Sequence, residues 1–118
     1  MKPEDVIETC RQVDNLMTCV FSRRNYDSFE ELHKFAKLSG AESYLSQSTI
    51  KFSNGSRIRF ITLRDDEDEH RNIAGLEIGL AVMNDVYPSR YLKSRMRFGS
   101  FRAPVDYGLP KIVGLEKP

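Results

Sequence analysis

The stretch GLEIGLAVMND, residues 75–85, is the part of the chain that indicates the fold most directly. Its centre, Leu80 to Met83, is a continuous apolar run, which is typical of a strand buried on both faces in the middle of a parallel sheet. Two polar residues, Asn84 and Asp85, end the run abruptly. Open α/β sheets bind ligands at the carboxyl ends of their strands, so this pair marks a candidate site.

Three other stretches carry apolar residues at helical spacing, and they are residues 3–13, 28–40 and 88–97. The second begins with Ser28-Phe29-Glu30-Glu31, which predicts a capping box in which Ser28 accepts a backbone amide and Glu31 reaches back. Gly40 is placed to end that helix. These patterns predict three helices.

Strand patterns lie between the predicted helices. Residues 16–22 and 110–114 predict two short strands, and residues 49–63 alternate on both sides of Asn54-Gly55, which predicts a tight antiparallel hairpin. The order helix, strand, helix, hairpin, strand, helix, strand predicts one domain over residues 1–118. We expect an α/β fold with three layers and a partly parallel sheet that carries the antiparallel hairpin.

The composition is that of an ordinary soluble protein, with 30% charged residues and a net charge of +1. Residues 65–69 form an acidic block, and residues 90–102 carry five basic residues without an acid. Cys10 and Cys19 belong to no CxxC or Cys/His cluster, so we expect neither a zinc site nor a disulfide. No 18-residue apolar run is present, so we expect no membrane contact and a reducing, cytoplasmic location.

Six segments, in this order, resemble the ATPase domain of the large terminase subunit, the motor that packs DNA into tailed-phage capsids. The first is VFSR at 20–23, like the family's strand that ends in Arg, and the second is IKFSNGSRIRF at 50–60, similar to its "I-x-F-x-N-G-S-x-I-x-F" hairpin. IAGLE at 73–77 is like its "R-G-L-E" turn into the Walker B strand, and Asn84-Asp85 stands where that strand ends in Asp-Glu. YLKSRMR at 91–97 is like its "L-x-S-R-L-R" helix, and PKIVG at 110–114 is like the strand before its coupling motif. The resemblance implies a truncated RecA/P-loop-like ATPase fold.

The departures from the family pattern concern the catalytic groups. The 118 residues contain no Walker A loop, G-x-x-x-x-G-K-[ST], whose amides and Lys hold phosphates, and no nuclease domain. Asn84 stands in the place of the metal-organising Asp, and Asp85 in the place of the catalytic Glu. Phosphoryl transfer needs a phosphate cradle, a metal and a water-positioning base together. We therefore expect no catalytic residue, no metal, no cofactor and no ATPase activity.

The resemblance and these departures together favour a non-catalytic terminase-like phage protein that acts by binding. It would be a decoy or regulator of the packaging motor, or an inhibitor of a host factor, in the host cell cytoplasm. Loss of the Walker A strand would expose a sheet edge, so a homodimer or docking onto a partner is also expected.

Two alternatives stay open. One is half of a split packaging ATPase that another chain completes, with Asp85 helping to position a metal. The other is a nucleic-acid-binding module with a basic surface. The residues predicted to contact nucleic acid or a partner are Arg23, Arg57, Arg59, Arg90, Lys93, Arg95 and Arg97.

Overall fold

The structure is a computed structural model that describes residues 1–65, 71–96 and 107–117. Its elements, in chain order, are α1 (Pro3–Gln12), β1 (Met17–Ser22), α2 (Asn25–Ser39), β2 (Glu42–Tyr44), a 3₁₀ turn (Leu45–Gln47), β3 (Thr49–Lys51), β4 (Arg57–Thr62), β5 (Leu80–Asn84), α3 (Arg90–Ser94) and β6 (Lys111–Gly114). The predicted alternation of helices, strands and hairpin is confirmed for these residues.

The six strands form one mixed sheet in the order β2-β3-β4-β1-β5-β6. β1 lies in the middle and pairs in parallel with β4 on one side and β5 on the other, and β5 pairs in parallel with β6. β3 pairs antiparallel with both β2 and β4. The α/β class and the partly parallel sheet with its antiparallel hairpin are therefore confirmed.

Two apolar cores lie on opposite faces of the sheet. The first packs α1 and α2 against one face through side chains such as Val6, Phe35 and Val20. The second lies on the other face, where Phe21 and Met83 meet Leu92 of α3. All five residues of β5 are buried, as the apolar run predicts for a central strand.

The capping-box prediction at Ser28 is wrong, because α2 begins at Asn25, three residues earlier. Ser28 lies in the first turns of α2, and its Oγ forms a 2.8 Å hydrogen bond with Thr62 Oγ1 at the end of β4. Glu31, the other half of the predicted box, is buried. Ser28 thus bonds across the fold, and Glu31 pairs with Lys34 in its own helix, so neither side chain caps α2. The predicted end of α2 is confirmed, since Gly40 is its C-cap with φ +64°.

The tight β3–β4 hairpin at Asn54-Gly55 is confirmed. Beyond the Lys51–Arg57 pair, Phe52 N donates to the Ser56 carbonyl oxygen at 2.9 Å, and Gly55 N donates to the Phe52 carbonyl oxygen at 3.1 Å, which closes the turn. Asn54 Nδ2 donates to the carbonyl oxygens of Cys10, Arg11 and Val13, at 2.8, 3.2 and 3.3 Å. The turn therefore also satisfies carbonyl groups at the end of α1.

Other differences are local. β2 and the 3₁₀ turn lie in residues 42–47, where the sequence predicts a polar connection. The helix predicted over residues 88–97 is shorter, because Ser89 is the N-cap of α3 and its Oγ accepts from Leu92 N at 3.1 Å. The acidic block beyond Asp65 and the end of that predicted helix lie outside the described residues.

Candidate functional site

The candidate site lies at the carboxyl edge of the sheet, where β1 and β5 end side by side. The register pairs Ser22, the last residue of β1, with Asn84, the last residue of β5. Asn84 is only 4% exposed, and its Nδ2 donates to Ser22 Oγ at 2.9 Å. Its Oδ1 is buried and has no hydrogen-bond partner within the described part of the chain. The predicted position of Asn84 at a strand end is confirmed.

Asp85 turns away from this buried pair. It adopts the left-handed conformation, with φ +59°, and its side chain is exposed. Its carboxylate Oδ2 lies 2.9 Å from Nζ of Lys117, just beyond β6. The hydrogen bond to Asp85 is the main cause that raises the pKa of Lys117 above its ordinary value. Because the Lys117 side chain is half-exposed and that of Asp85 is exposed, solvent screens this pair and it contributes little to stability.

The first half of α2 adds further polar groups. Arg24 Nε and Asp27 Oδ2 form an exposed ion pair at 2.9 Å, near the start of the helix. Glu31 is 4% exposed, and its Oε1 lies 3.6 Å from Lys34 Nζ. Glu31 Oε2 has no hydrogen-bond partner among the described residues. The charges of Glu31 and Asp27 also raise the pKa of Lys117, which indicates that both carboxylates lie in the same region as its ammonium group.

This arrangement is poorly suited to holding a divalent metal. Mg²⁺ in phosphoryl-transfer sites is bound through one or two carboxylates. Here the buried position carries a neutral amide, and the neighbouring carboxylate of Asp85 is paired with a lysine. No group of three or more His, Cys, Asp or Glu side chains in residues 1–65, 71–96 and 107–117 could hold a metal ion.

The predicted basic contacts do not form one surface. Arg57 and Arg59 line a common groove on β4 together with Lys51. Arg95 instead donates from Nε to the Leu76 carbonyl oxygen at 3.1 Å, which fixes α3 to the segment before β5. The remaining predicted contacts in the described residues are exposed, and they are Arg23, Arg90 and Lys93. Arg97 lies outside the described residues.

Sequence reasoning missed Ser22, Glu31 and Lys117. Ser22 and Lys117 each follow or end a short strand, so the rule that polar residues gather at carboxyl edges could have found them. Glu31 had no comparable signal, because a glutamate within an amphipathic helix gives no sign that its side chain will be buried.

Comparisons with protein-family models, with curated proteins and with solved structures gave no match to this chain. The likeness to the terminase ATPase domain therefore depends on the six sequence segments. In the part of the chain that the structure describes, none of the helices combines the length and the apolar character needed to cross a membrane.

Proposed function

We propose that this protein acts by binding another protein and does not hydrolyse ATP. The observation that carries the proposal is the state of the two side chains at the end of β5. Asn84 is bonded to Ser22, and Asp85 is paired with Lys117. A metal and a water-positioning carboxylate would be needed at these two positions for phosphoryl transfer. The local interactions favour a structural role for both residues.

The scaffold we propose is a terminase-like, RecA/P-loop-like domain of a phage protein. Two features support it. Four of the six segments that resemble the family, at residues 20–23, 50–60, 84–85 and 110–114, include residues of β1, β4, β5 and β6, which are adjacent and mutually parallel in the sheet. The strand ends that would meet a nucleotide in such a domain, at Ser22 and Asn84, lie together. On this basis the partner is a subunit of the packaging motor, and a host factor is the alternative, both in the host cytoplasm.

The first experiment is a hydrolysis assay with Mg²⁺ and ATP on the chain alone. We expect no phosphate release. Turnover above the rate of a boiled control would overturn the proposal, whereas ATP binding without turnover would not.

The second experiment tests the partner. The chain is added to a purified large terminase subunit, and complex formation and ATPase rate are measured together. A decoy is expected to form a complex and to lower the rate as its concentration rises. If no complex forms and the rate is unchanged, the motor is not the partner, and a purified host factor becomes the next candidate.

A second candidate function, half of a split ATPase, is favoured by the outer edge of β6. Met1 N donates to the Gly114 carbonyl oxygen at 2.8 Å, and Glu116 N donates to the Met1 carbonyl oxygen at 2.9 Å. Met1, just before α1, thus lies where one further strand would pair with β6, and in a split ATPase the completing chain would supply that strand. In a mixture with the completing chain, Asn84→Asp should change the hydrolysis rate; an unchanged rate would exclude this candidate.

A further inference from the structure

A polar groove of about 540 Å³ lies over the β3–β4 hairpin, and neither the proposed function nor the carboxyl-edge site uses it. Its cations are Lys51, Arg57 and Arg59, and its lining also includes several side chains that form hydrogen bonds, such as Asn25, Gln47 and Asn72. No acidic residue in the described ranges 1–65, 71–96 and 107–117 lines it. The groove therefore presents three positive charges among neutral donors.

The strand register brings the cations together. Lys51 of β3 lies directly opposite Arg57 of β4, and Thr49 lies opposite Arg59. Opposed residues of an antiparallel pair project to the same face, and so do residues two apart on one strand. The three cations thus share one face of the hairpin.

The helices α1 and α2 pack against the opposite face of the hairpin. Ile50 and Ile58, which alternate with the cations along the strands, are fully buried in the core that α1 and α2 form. Arg57 is exposed and Arg59 is half-buried. The cations are therefore placed on the sheet surface within reach of a ligand.

The two arginine charges of the groove are not neutralised by the described part of the chain, whereas Lys51 lies opposite Glu42 in the β2–β3 ladder. Neither Arg57 nor Arg59 has a carboxylate within ion-pair distance among the described residues, and the Lys51 ammonium lies 4.4 Å from the centre of the Tyr44 ring. A half-buried guanidinium loses hydration without gaining an acceptor, which favours an anion that can accept from it. Arginine donors match the oxygens of a phosphate group in pairs.

We propose that this groove binds phosphate groups, through Arg57 and Arg59 with Lys51 beside them. The inference goes beyond the proposed function and does not depend on it. The phosphate can belong to a small phosphate ester or to the backbone of a single-stranded nucleic acid. Stacking of bases is not a feature of the groove, because the Lys51 ammonium already lies over the Tyr44 ring.

The test uses two probes, pyrophosphate by calorimetry and a single-stranded oligonucleotide of about 12 nucleotides by fluorescence anisotropy, in about 100 mM salt. The test variant is Arg57→Gln with Arg59→Gln. The matched control is Arg90→Gln with Lys93→Gln, which removes the same charge from exposed positions on α3. Arg57→Gln alone, at an exposed position, serves if the double variant does not fold.

We expect the affinity for the bound probe to fall at least about tenfold in the groove variant. The affinity of the control variant for the same probe should stay within about twofold of that of the unaltered chain, because salt screens exposed charges that lie away from the groove. Absence of binding to both probes, or equal losses in the two variants, would overturn the proposal.

The two probes distinguish the source of the phosphate. Pyrophosphate bound as tightly as the oligonucleotide assigns the groove to a small phosphate ester. Tighter binding of the oligonucleotide, with affinity that falls steeply between about 50 and about 200 mM salt, assigns it to a nucleic-acid backbone. Either result supports phosphate recognition by the same arginines.

Discussion

At the scale of single residues, Ser56 shows how the NGS segment of the hairpin works. Its hydroxyl is fully buried, accepts from Leu16 N at 3.0 Å and donates to the Val13 carbonyl oxygen. Gly55, next to it, has φ +87°, which only glycine adopts without strain. The part of the chain most similar to the terminase hairpin thus joins β3–β4 to the α1–β1 connection. Its role here is structural.

We predict that Ser56→Ala lowers the free energy of unfolding by about 1–3 kcal/mol, because it leaves the buried Leu16 N–H without its acceptor and removes the shorter of the two hydrogen bonds to the Val13 carbonyl oxygen. Ser53→Ala, an exposed position in the same loop, removes the same atom and should change it by less than about 0.5 kcal/mol. Urea unfolding of both variants measures the difference. Equal losses would mean that the Ser56 hydroxyl contributes nothing specific.

Cys19 makes the stability sensitive to alkaline pH. Its thiol is fully buried, and burial raises its pKa from 9.0 to about 12, although the charge of Arg59 opposes the shift. The stabilising contribution is complete below pH 9, where the thiol is protonated in both states. It is lost as the pH rises from 9 to about 12, because the unfolded chain then releases the proton first.

Between pH 9 and 11, each such thiol should lower the free energy of unfolding by about 1.4 kcal/mol per pH unit. We therefore predict a shallower decline in Cys19→Ala than in the unaltered chain, measured by urea unfolding across this range. Cys10 is present in both proteins, and burial raises its thiol pKa to about 12 as well. It therefore accounts for the decline in stability with pH that remains in Cys19→Ala. Parallel profiles would contradict the assignment.

At the scale of elements, the end of β5 differs from its neighbours in carrying a buried amide. In Asn84→Asp a carboxylate would occupy a position that is 4% exposed, and burial raises the pKa of such a group. Ionisation of this buried carboxyl group would cost free energy in the folded state. The variant should therefore be most stable below the ordinary pKa of about 3.9 and lose stability as the pH rises. We predict that Asn84→Asp is less stable than the parent by about 1–3 kcal/mol at pH 7, with a smaller difference near pH 4.

The matched control for this strand end is Asp85→Asn. It removes one charge of the exposed pair with Lys117 and should cost less than about 1 kcal/mol. Unfolding curves at the two pH values compare the variants. A stability of Asn84→Asp that does not depend on pH would show that the carboxylate is hydrated at this position.

At the scale of the whole molecule, β6 is one edge of the sheet and pairs with β5 alone among the six strands. Lys111 N donates to the carbonyl oxygen of Gly79, just before β5, and Leu115 N donates to that of Met83 on β5, so the backbone groups of Ile112 and Gly114 face outward. Gly114 already accepts from Met1, and within the described part of the chain the outward backbone groups of Ile112 have no backbone partner. Exposed edges of this kind favour pairing with a second chain.

We predict that the protein associates at high concentration, with a sedimentation mass twice the 13.6 kDa of one chain. Ile112→Pro removes the outward N–H and should restore the monomer, while circular dichroism stays unchanged. Val113→Pro is the control, since it breaks the ladder to β5 and should unfold the protein. A monomer at all concentrations in the unaltered chain would exclude the homodimer.

The sequence by itself determined the number, type and order of most elements. The all-apolar run of β5, the helical spacing in α1 and α2, and the alternation around Asn54-Gly55 are local patterns, and each is imposed by burial of one face or both. The same patterns placed Asn84 at a carboxyl end and put the cations of the hairpin on one face. The pattern of neighbouring residues along the chain is sufficient for these inferences.

Only the tertiary structure decided which distant groups meet. Ser28 bonds to Thr62 instead of capping α2, Asn54 satisfies carbonyl groups more than 40 residues away, and Lys117 pairs with Asp85 across 32 residues. Such contacts depend on the packing of helices against the sheet and on the strand order. No periodicity along the chain encodes them, because a polar side chain finds its partner in space and carries no local sign of which one.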